Sequence, residues 1–389
     1  MVISLISSLV IAVAGAFLPD YFTVGINLIK SVNFHSLLMD GMLSFLLFAG
    51  SIHVNAGKLK KELIPVATFS TVGVVISTFV VGALTYILFI LFHIQVDFIY
   101  CLLFGALISP TDPVAVLGIL RSAKIPESLE VKISGESLFN DGVGVVIFLT
   151  IYEVAKVGIQ EMSIGKVALL FLTEAGGGLL WGLILGYVVF YLFKTIDNYK
   201  IEVMITLAMV MGGYATADYL HVSGPLAMVV AGIIIGNKGK EKVMSDTTRE
   251  YLEKFWELID EILNAVLFLF IGFEMLIIST SSQFIWIGII SILTVLFARW
   301  ISLVIPRSFL ALKIPFEKNA IPILTWGGLR GGISVALALS LPAGMHREEI
   351  VTITYIIVVF SIIVQGMTIG RLAQRLAKKD AGTDTDFSI

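Results

Sequence analysis

The chain has 389 residues, of which 57% are hydrophobic and 14% charged, with a mean hydropathy of +0.97; water-soluble domains carry roughly 25% charged residues, so lipid must cover much of this one. A net charge of -3 and a pI near 6.0 offer no basic surface for a polyanion and argue against nucleic-acid binding. The single cysteine, Cys101, cannot close a disulfide within the chain, so packing alone holds the fold.

About twelve apolar segments long enough to cross roughly 30 Å of hydrocarbon follow one another. They lie at 2–18, 36–55, 64–92, 97–120, 135–157, 164–193, 200–220, 224–237, 256–279, 283–305, 318–342 and 350–372. No basic stretch precedes the first, which therefore reads as a retained membrane helix rather than a signal peptide. The segment 224–237 is short enough for a partial or tilted span, and the mixed-charge stretch 238–256 reads as a cytoplasmic amphipathic lead-in to the next.

Lysine and arginine gather in every second loop, first at Lys58, Lys60 and Lys61, then at Arg121, Lys124 and Lys132, then at Lys194 and Lys200. The alternation continues to Arg371 and Arg375, which places both termini in the cytoplasm. Residues 1–380 read as one membrane domain and 381–389 as a short cytoplasmic tail.

Two spans carry backbone breakers at their centres: Ser109-Pro110-Thr111-Asp112-Pro113 in the fourth and Gly327-Gly328-Leu329-Arg330-Gly331-Gly332 in the eleventh. The prolines remove amide donors and disfavour helical geometry in the residue before them, while the glycines weaken helix and permit close approach. Unwound backbone at membrane depth survives only where protein buries it or it lines a cavity. Interrupted helices at corresponding places in two halves point to a secondary transporter with its site at the midplane. The expected fold is therefore all-α and polytopic, with about twelve transmembrane helices in inverted repeats whose interrupted helices cross at the bilayer midplane.

Asp112, Glu136, Asp141 and Arg330 accompany these breaks, and each charge at a helix centre costs roughly 2.5–3.5 kcal/mol. Ser137 and Asp141 are four apart and share a helix face, with Asp112 able to face them. Thr111, Asp112, Ser137 and Asp141 together offer hydroxyl, carbonyl and carboxylate oxygens, the donor set a hard monovalent cation prefers. Glu136 lies about 140° around the helix from Asp141, and Arg330 is its expected partner in a buried structural pair. Asp141 is the expected exchange group, because burial raises a carboxylate pKa and a bound cation lowers it, so that proton and cation compete. Glu274 and Arg299, near predicted helix ends, read as side chains that snorkel to the interface. The histidines at span ends, His53, His93, His221 and His346, form no metal-ligand spacing.

Ser109 to Val116, Gly135-Glu136-Ser137-Leu138-Phe139-Asn140-Asp141-Gly142, Phe255-Trp256-Glu257, Asn264 to Phe268 and Gly327 to Gly332 resemble, in order, the hallmark motifs of NhaP-like sodium/proton antiporters. The resemblance covers nearly the whole chain. It implies a homodimer, a core bundle (approximately 64–157 and 283–372) moving against a dimerisation scaffold, and sodium coordination around Thr111, Asp112, Ser137 and Asp141. It also implies the Glu136–Arg330 pair and, from Asn140 beside Asp141, electroneutral exchange. Many members have a further N-terminal helix and an acid near Phe48 to Asn55; this chain starts short and has no acid there. The implied cargo is Na+, with Li+ and K+ as alternatives, and H+, with no cofactor and no enzymatic activity. Two other classes fit intramembrane aspartates: an aspartyl-type enzyme, against which the absence of a GxGD-type motif beside Asp112 or Asp141 speaks, and a cation channel.

Overall fold

The computed structural model describes residues 36–112, 114–123, 125–158, 163–239, 243–274, 282–312, 314, 316–317 and 319–383. The expected span at 2–18, residues 275–279 of the ninth span and the end of the tail lie outside the described residues. Among the described residues the regular structure is helical, and strand pairing is limited to one isolated antiparallel bridge between Asp112 and Leu329.

In chain order the helices are α1 (Leu37–Ile52), α2 (Ala56–Lys61), α3 (Leu63–Leu91), α4 (Phe98–Ile108), α5 (Val114–Ser122), α6 (Glu127–Val157), α7 (Ile164–Phe193) and α8 (Tyr199–Tyr219). They continue as α9 (Gly224–Gly239), α10 (Asp246–Glu274), α11 (Ser282–Leu310), α12 (Ala320–Gly327), α13 (Gly332–Leu339), α14 (Arg347–Phe360) and α15 (Gly366–Thr383), the last two joined by a π turn at Ser361–Gln365. Six of these stretches are long and apolar enough to cross a membrane, and α14 with α15 forms one of them. The interrupted spans appear as the half-helix pairs α4/α5 and α12/α13.

Local sequence sets many of the ends. Ser223 caps α9 by accepting from the Leu226 amide, with Pro225 in the first turn. Ser163 and Asn198 do the same for α7 and α8. Glu127 and Glu130 in the first turn of α6 suit the positive end of its dipole. Three turns are closed by histidines in the left-handed region, His93, His221 and His346, with φ of 57°, 54° and 54°; histidine is among the non-glycine residues that tolerate it best.

Three apolar clusters organise the packing among the described residues, one of them joining α3, α5 and α6 to α11, α12 and α15 around Phe69, Leu129 and Leu324. A second joins α3, α4 and α6 to α11, α13 and α14 around Phe104, Phe148, Tyr355 and Phe268. The third joins α1, α7, α8 and α9 to α10 around Trp256, Phe48 and Phe193. The Trp256 indole donates to Thr206 Oγ1 at 3.1 Å and meets Phe48 edge-on at 4.6 Å between centroids. α6 reaches all three clusters, and the break between α4 and α5 lies directly on it: a Cβ on Gly144 would stand 2.2 Å from Pro110 Cγ.

The unbroken helices run past the apolar runs that announce them. α6 begins eight residues before the predicted span at 135, and α10 begins at Asp246, absorbing much of the stretch read as a separate lead-in. α10 is not apolar by composition because one face, Glu253, Glu257, Asp260 and Asn264, lines a cavity.

Candidate functional site

The two breaks meet. Asp112 N–H donates to the Leu329 carbonyl at 2.9 Å, tying the unwound chain after α4 to the unwound chain after α12. Breaking α4 at Pro110 leaves carbonyls without helical donors, and Arg330 Nη1 supplies them, donating to Ser109 O at 2.9 Å and Pro110 O at 3.1 Å. The Arg330 amide in turn donates to Ser361 Oγ at 2.9 Å. A Cβ on Gly331 would lie 2.6 Å from Asp112 Oδ2, so only glycine lets the second strand approach the carboxylate this closely.

Arg330 therefore does not hold Glu136, and the expected Glu136–Arg330 pair is corrected. Glu136 is met by Arg299 of α11, whose Nη1 and Nη2 donate to Oε1 and Oε2 at 2.5 and 2.8 Å, with Arg299 at 5% and Glu136 at 1% exposure. The Arg299 guanidinium also donates to Leu324 O through Nε and Nη2, at 3.3 Å each. The snorkelling reading of Arg299 fails for one reason: α11 runs through Pro306 to Leu310, so Arg299 lies well inside the helix instead of near its end. The signal available in sequence was the apolar run on both sides of Ala298-Arg299-Trp300. The side chain of Glu274 lies outside the described residues.

The remaining site residues separate into two layers. Behind the crossing, Asn140 clamps Thr111: its Oδ1 accepts from Thr111 N at 3.2 Å and its Nδ2 donates to Thr111 Oγ1 at 2.8 Å. Thr111 Oγ1 and Ser137 Oγ are 3.1 Å apart, and all three residues are buried. In front, Asp112 and Asp141 line a cavity of about 620 Å³ that runs from the crossing at Pro110, Gly331 and Gly332 to solvent-exposed Lys58 and Glu127. Two carboxylates on one wall beside low-dielectric helices disfavour double ionisation unless a cation or proton joins them.

On the opposite wall the sequence motifs include Glu257 and Asn264, but not Glu253 and Asp260. Glu253, Glu257, Asp260 and Asn264 of α10, spaced by four, three and four, place one polar stripe along the cavity. Asn264 Nδ2 donates to Asp260 Oδ1 at 3.0 Å and fixes that carboxylate. At the mouth Lys58 pairs with Glu127 and Arg121 with Glu130, the second at 2.6 Å, so the basic groups there are already engaged by acids. The interior is an acidic, water-accessible cleft ending at two aspartates and unwound backbone, suited to a small cation and to protons.

Comparison with known proteins gives concordant findings. The family model described as sodium/hydrogen exchanger, transmembrane, matches residues 2–375. The chain is 50% identical over 358 residues to the Na(+)/H(+) antiporter NhaP of Pseudomonas aeruginosa, covering 90% of this chain and 83% of that one. It is 36% identical over 308 residues to the Na(+)/H(+) antiporter NhaH of Halobacillus aidingensis, covering 78% and 74%. Among solved structures, the sodium proton antiporter MjNhaP1 of Methanocaldococcus jannaschii superposes with a TM-score of 0.70 at 18% identity, covering 95% of this chain and 96% of that one, a likeness of fold.

Proposed function

Since the chain belongs to the sodium/hydrogen exchanger family, we infer that its acidic cavity is the ion pathway of a Na+/H+ antiporter in which Asp141 binds cation and proton in competition. The protein is a multi-pass transporter and not an enzyme. The observation that carries the site is the meeting of the two unwound strands beside Asp112 and Asp141 at the end of a single cavity.

In this reading Asp141 and Asp112 supply the charged ligands. The hydroxyls of Thr111 and Ser137 stand one layer behind, ready to turn toward a dehydrated cation, and Asn140 holds Thr111 in register. Glu136, neutralised by Arg299, is a structural group. Exchange follows if the loaded site faces the two sides alternately and the empty site does not cross. The mobile part comprises approximately 64–157 and 283–372, moving against a dimerisation scaffold of the remaining helices in a homodimer. With one exchanging carboxylate beside Asn140, one Na+ leaves for one H+ and the cycle is electroneutral; Li+ and K+ are alternative cargoes. The arginine and lysine distribution supports a cytoplasmic cavity mouth, at Lys58 and Arg121, in a protein of the plasma membrane.

The test is proton movement in proteoliposomes carrying a trapped pH dye, on addition of sodium, lithium or potassium. Wild type moves protons with sodium, and Asp141→Asn, folded but unable to alternate between proton and cation, does not. Full exchange by Asp141→Asn would move the proton site elsewhere.

A further inference from the structure

A second, much smaller cavity, of about 10 Å³, lies among Arg299, Thr325, Gly328, Arg330 and Gln365, lined on the other sides by apolar residues of α11 and α14. Its polar rim is incomplete in a specific way. All three guanidinium nitrogens of Arg299 donate to Glu136 or the Leu324 carbonyl. Arg330 uses Nη1 on the carbonyls of Ser109 and Pro110, so the rest of its guanidinium fork remains available as donors. Gln365 gives its amide N–H to the Trp326 carbonyl at 2.9 Å, leaving Oε1 as an acceptor. Thr325 Oγ1 is sealed from solvent and has no hydrogen-bond partner among the described residues. Threonines on a helix commonly bond back to a carbonyl one turn earlier; this one does not.

We propose that this cavity is a binding site for one water molecule, which accepts from the Arg330 guanidinium, donates to Gln365 Oε1 and bonds Thr325 Oγ1. A buried water needs roughly 10–15 Å³ of such space and two to four polar partners, and this site supplies both. A cation is opposed by the two guanidinium groups, and a phosphate or carboxylate exceeds the volume.

The site also explains the π turn Ser361–Gln365. π turns recur where a helix must re-aim side chains at a functional site, and here the turn delivers Ser361 to the Arg330 amide and Gln365 to the Trp326 carbonyl and the cavity. With the water in place, Arg330 is held from both ends, by the carbonyls of the first break and by the second break's own neighbours. Its aim at Ser109 and Pro110 then no longer depends on Nη1 alone. This inference concerns the packing of the crossing and stands whether or not the antiport reading holds.

The experiment is structure determination of the full chain, at a resolution that shows ordered waters, for wild type, Thr325→Ser and Thr325→Val. One density peak is expected within hydrogen-bond distance of Thr325 Oγ1, an Arg330 nitrogen and Gln365 Oε1, retained in Thr325→Ser and lost in the near-isosteric Thr325→Val. Sodium-driven proton flux should fall several-fold in Thr325→Val and stay near wild type in Thr325→Ser. An empty cavity in a wild-type map that resolves other buried waters overturns the proposal, as does a peak that gains anomalous signal in bromide, which would make the occupant a halide. Should Thr325→Val fail to fold, the wild-type and Thr325→Ser maps decide alone.

Discussion

Glu136 and Arg299 illustrate how a buried charge is tolerated: two parallel hydrogen bonds join the carboxylate and the guanidinium, and the Leu324 carbonyl accepts from Nε and Nη2. Removing one partner strands the other in a low-dielectric interior, a loss of about 3–5 kcal/mol. Glu136→Ala and Arg299→Ala should each lower the unfolding temperature of detergent-purified protein strongly, and the double substitution should be less destabilised than their sum. Coupling found between Glu136 and Arg330 instead would refute the pairing. A different residue-scale consequence attaches to Gly331, where an added Cβ would stand 2.6 Å from Asp112 Oδ2. Gly331→Ala should preserve folding yet reduce sodium-driven flux by at least an order of magnitude, roughly the effect of ~1.4 kcal/mol at the site; unchanged flux would show that the strand has room to shift.

At the scale of elements, the end of the bundle where α3, α6 and the α11–α12 connection meet is held by a buried lysine. Lys132 of α6, 2% exposed, reaches Glu62 at the start of α3 at 3.2 Å and Glu317 in the α11–α12 connection at 2.8 Å, with the Phe316 ring 5.5 Å from its ammonium. Ser128 adds a hydrogen bond to Glu317. Burial pushes the Glu317 carboxyl up, but the hydrogen bonds from Lys132 and Ser128 outweigh it and hold the carboxyl below its ordinary value. A carboxyl depressed in the folded state contributes stability above its unfolded value, and that contribution is lost as pH falls through the folded value. Thermal unfolding followed from neutral pH down through the glutamate range should show an acid-side loss in wild type. Lys132→Met should show a smaller one, and equal losses in the two would mean that Lys132 does not set the Glu317 titration.

For the whole molecule, the informative quantity is charge moved per cycle. One carboxylate that trades one proton for one monovalent cation moves none, so sodium-driven proton flux in proteoliposomes should be insensitive to a potassium-valinomycin diffusion potential of either sign. A flux that follows the imposed potential would mean that a second group, with Asp112 as the first candidate, exchanges protons in the same cycle. Two of the three apolar clusters, one around α3, α4, α11 and α14 and the other around α1, α8, α9 and α10, meet across α6 and the main cavity. That boundary is where relative motion would open and close access to the aspartates.

Composition and apolar run length suffice to read the membrane class, most spans and the two broken helices, because a hydrocarbon solvent demands long apolar stretches and because proline and glycine act on backbone geometry within a few residues. The candidate residues Thr111, Asp112, Ser137 and Asp141 are conspicuous in sequence for the same reason: polar groups in an apolar run stand out. Partnership was not legible. Arg299 and Arg330 are both arginines in apolar surroundings, and which one meets Glu136 depends on where α11 ends and on which carbonyls the α4 break leaves open. Nor could local pattern show that the charged face of α10 turns toward the aspartates instead of bulk water, since a polar stripe reads identically in both settings. Segment identity follows from each residue's preference for lipid, water or turn, whereas pairing follows from distances between segments far apart in sequence, and only the packed structure sets those.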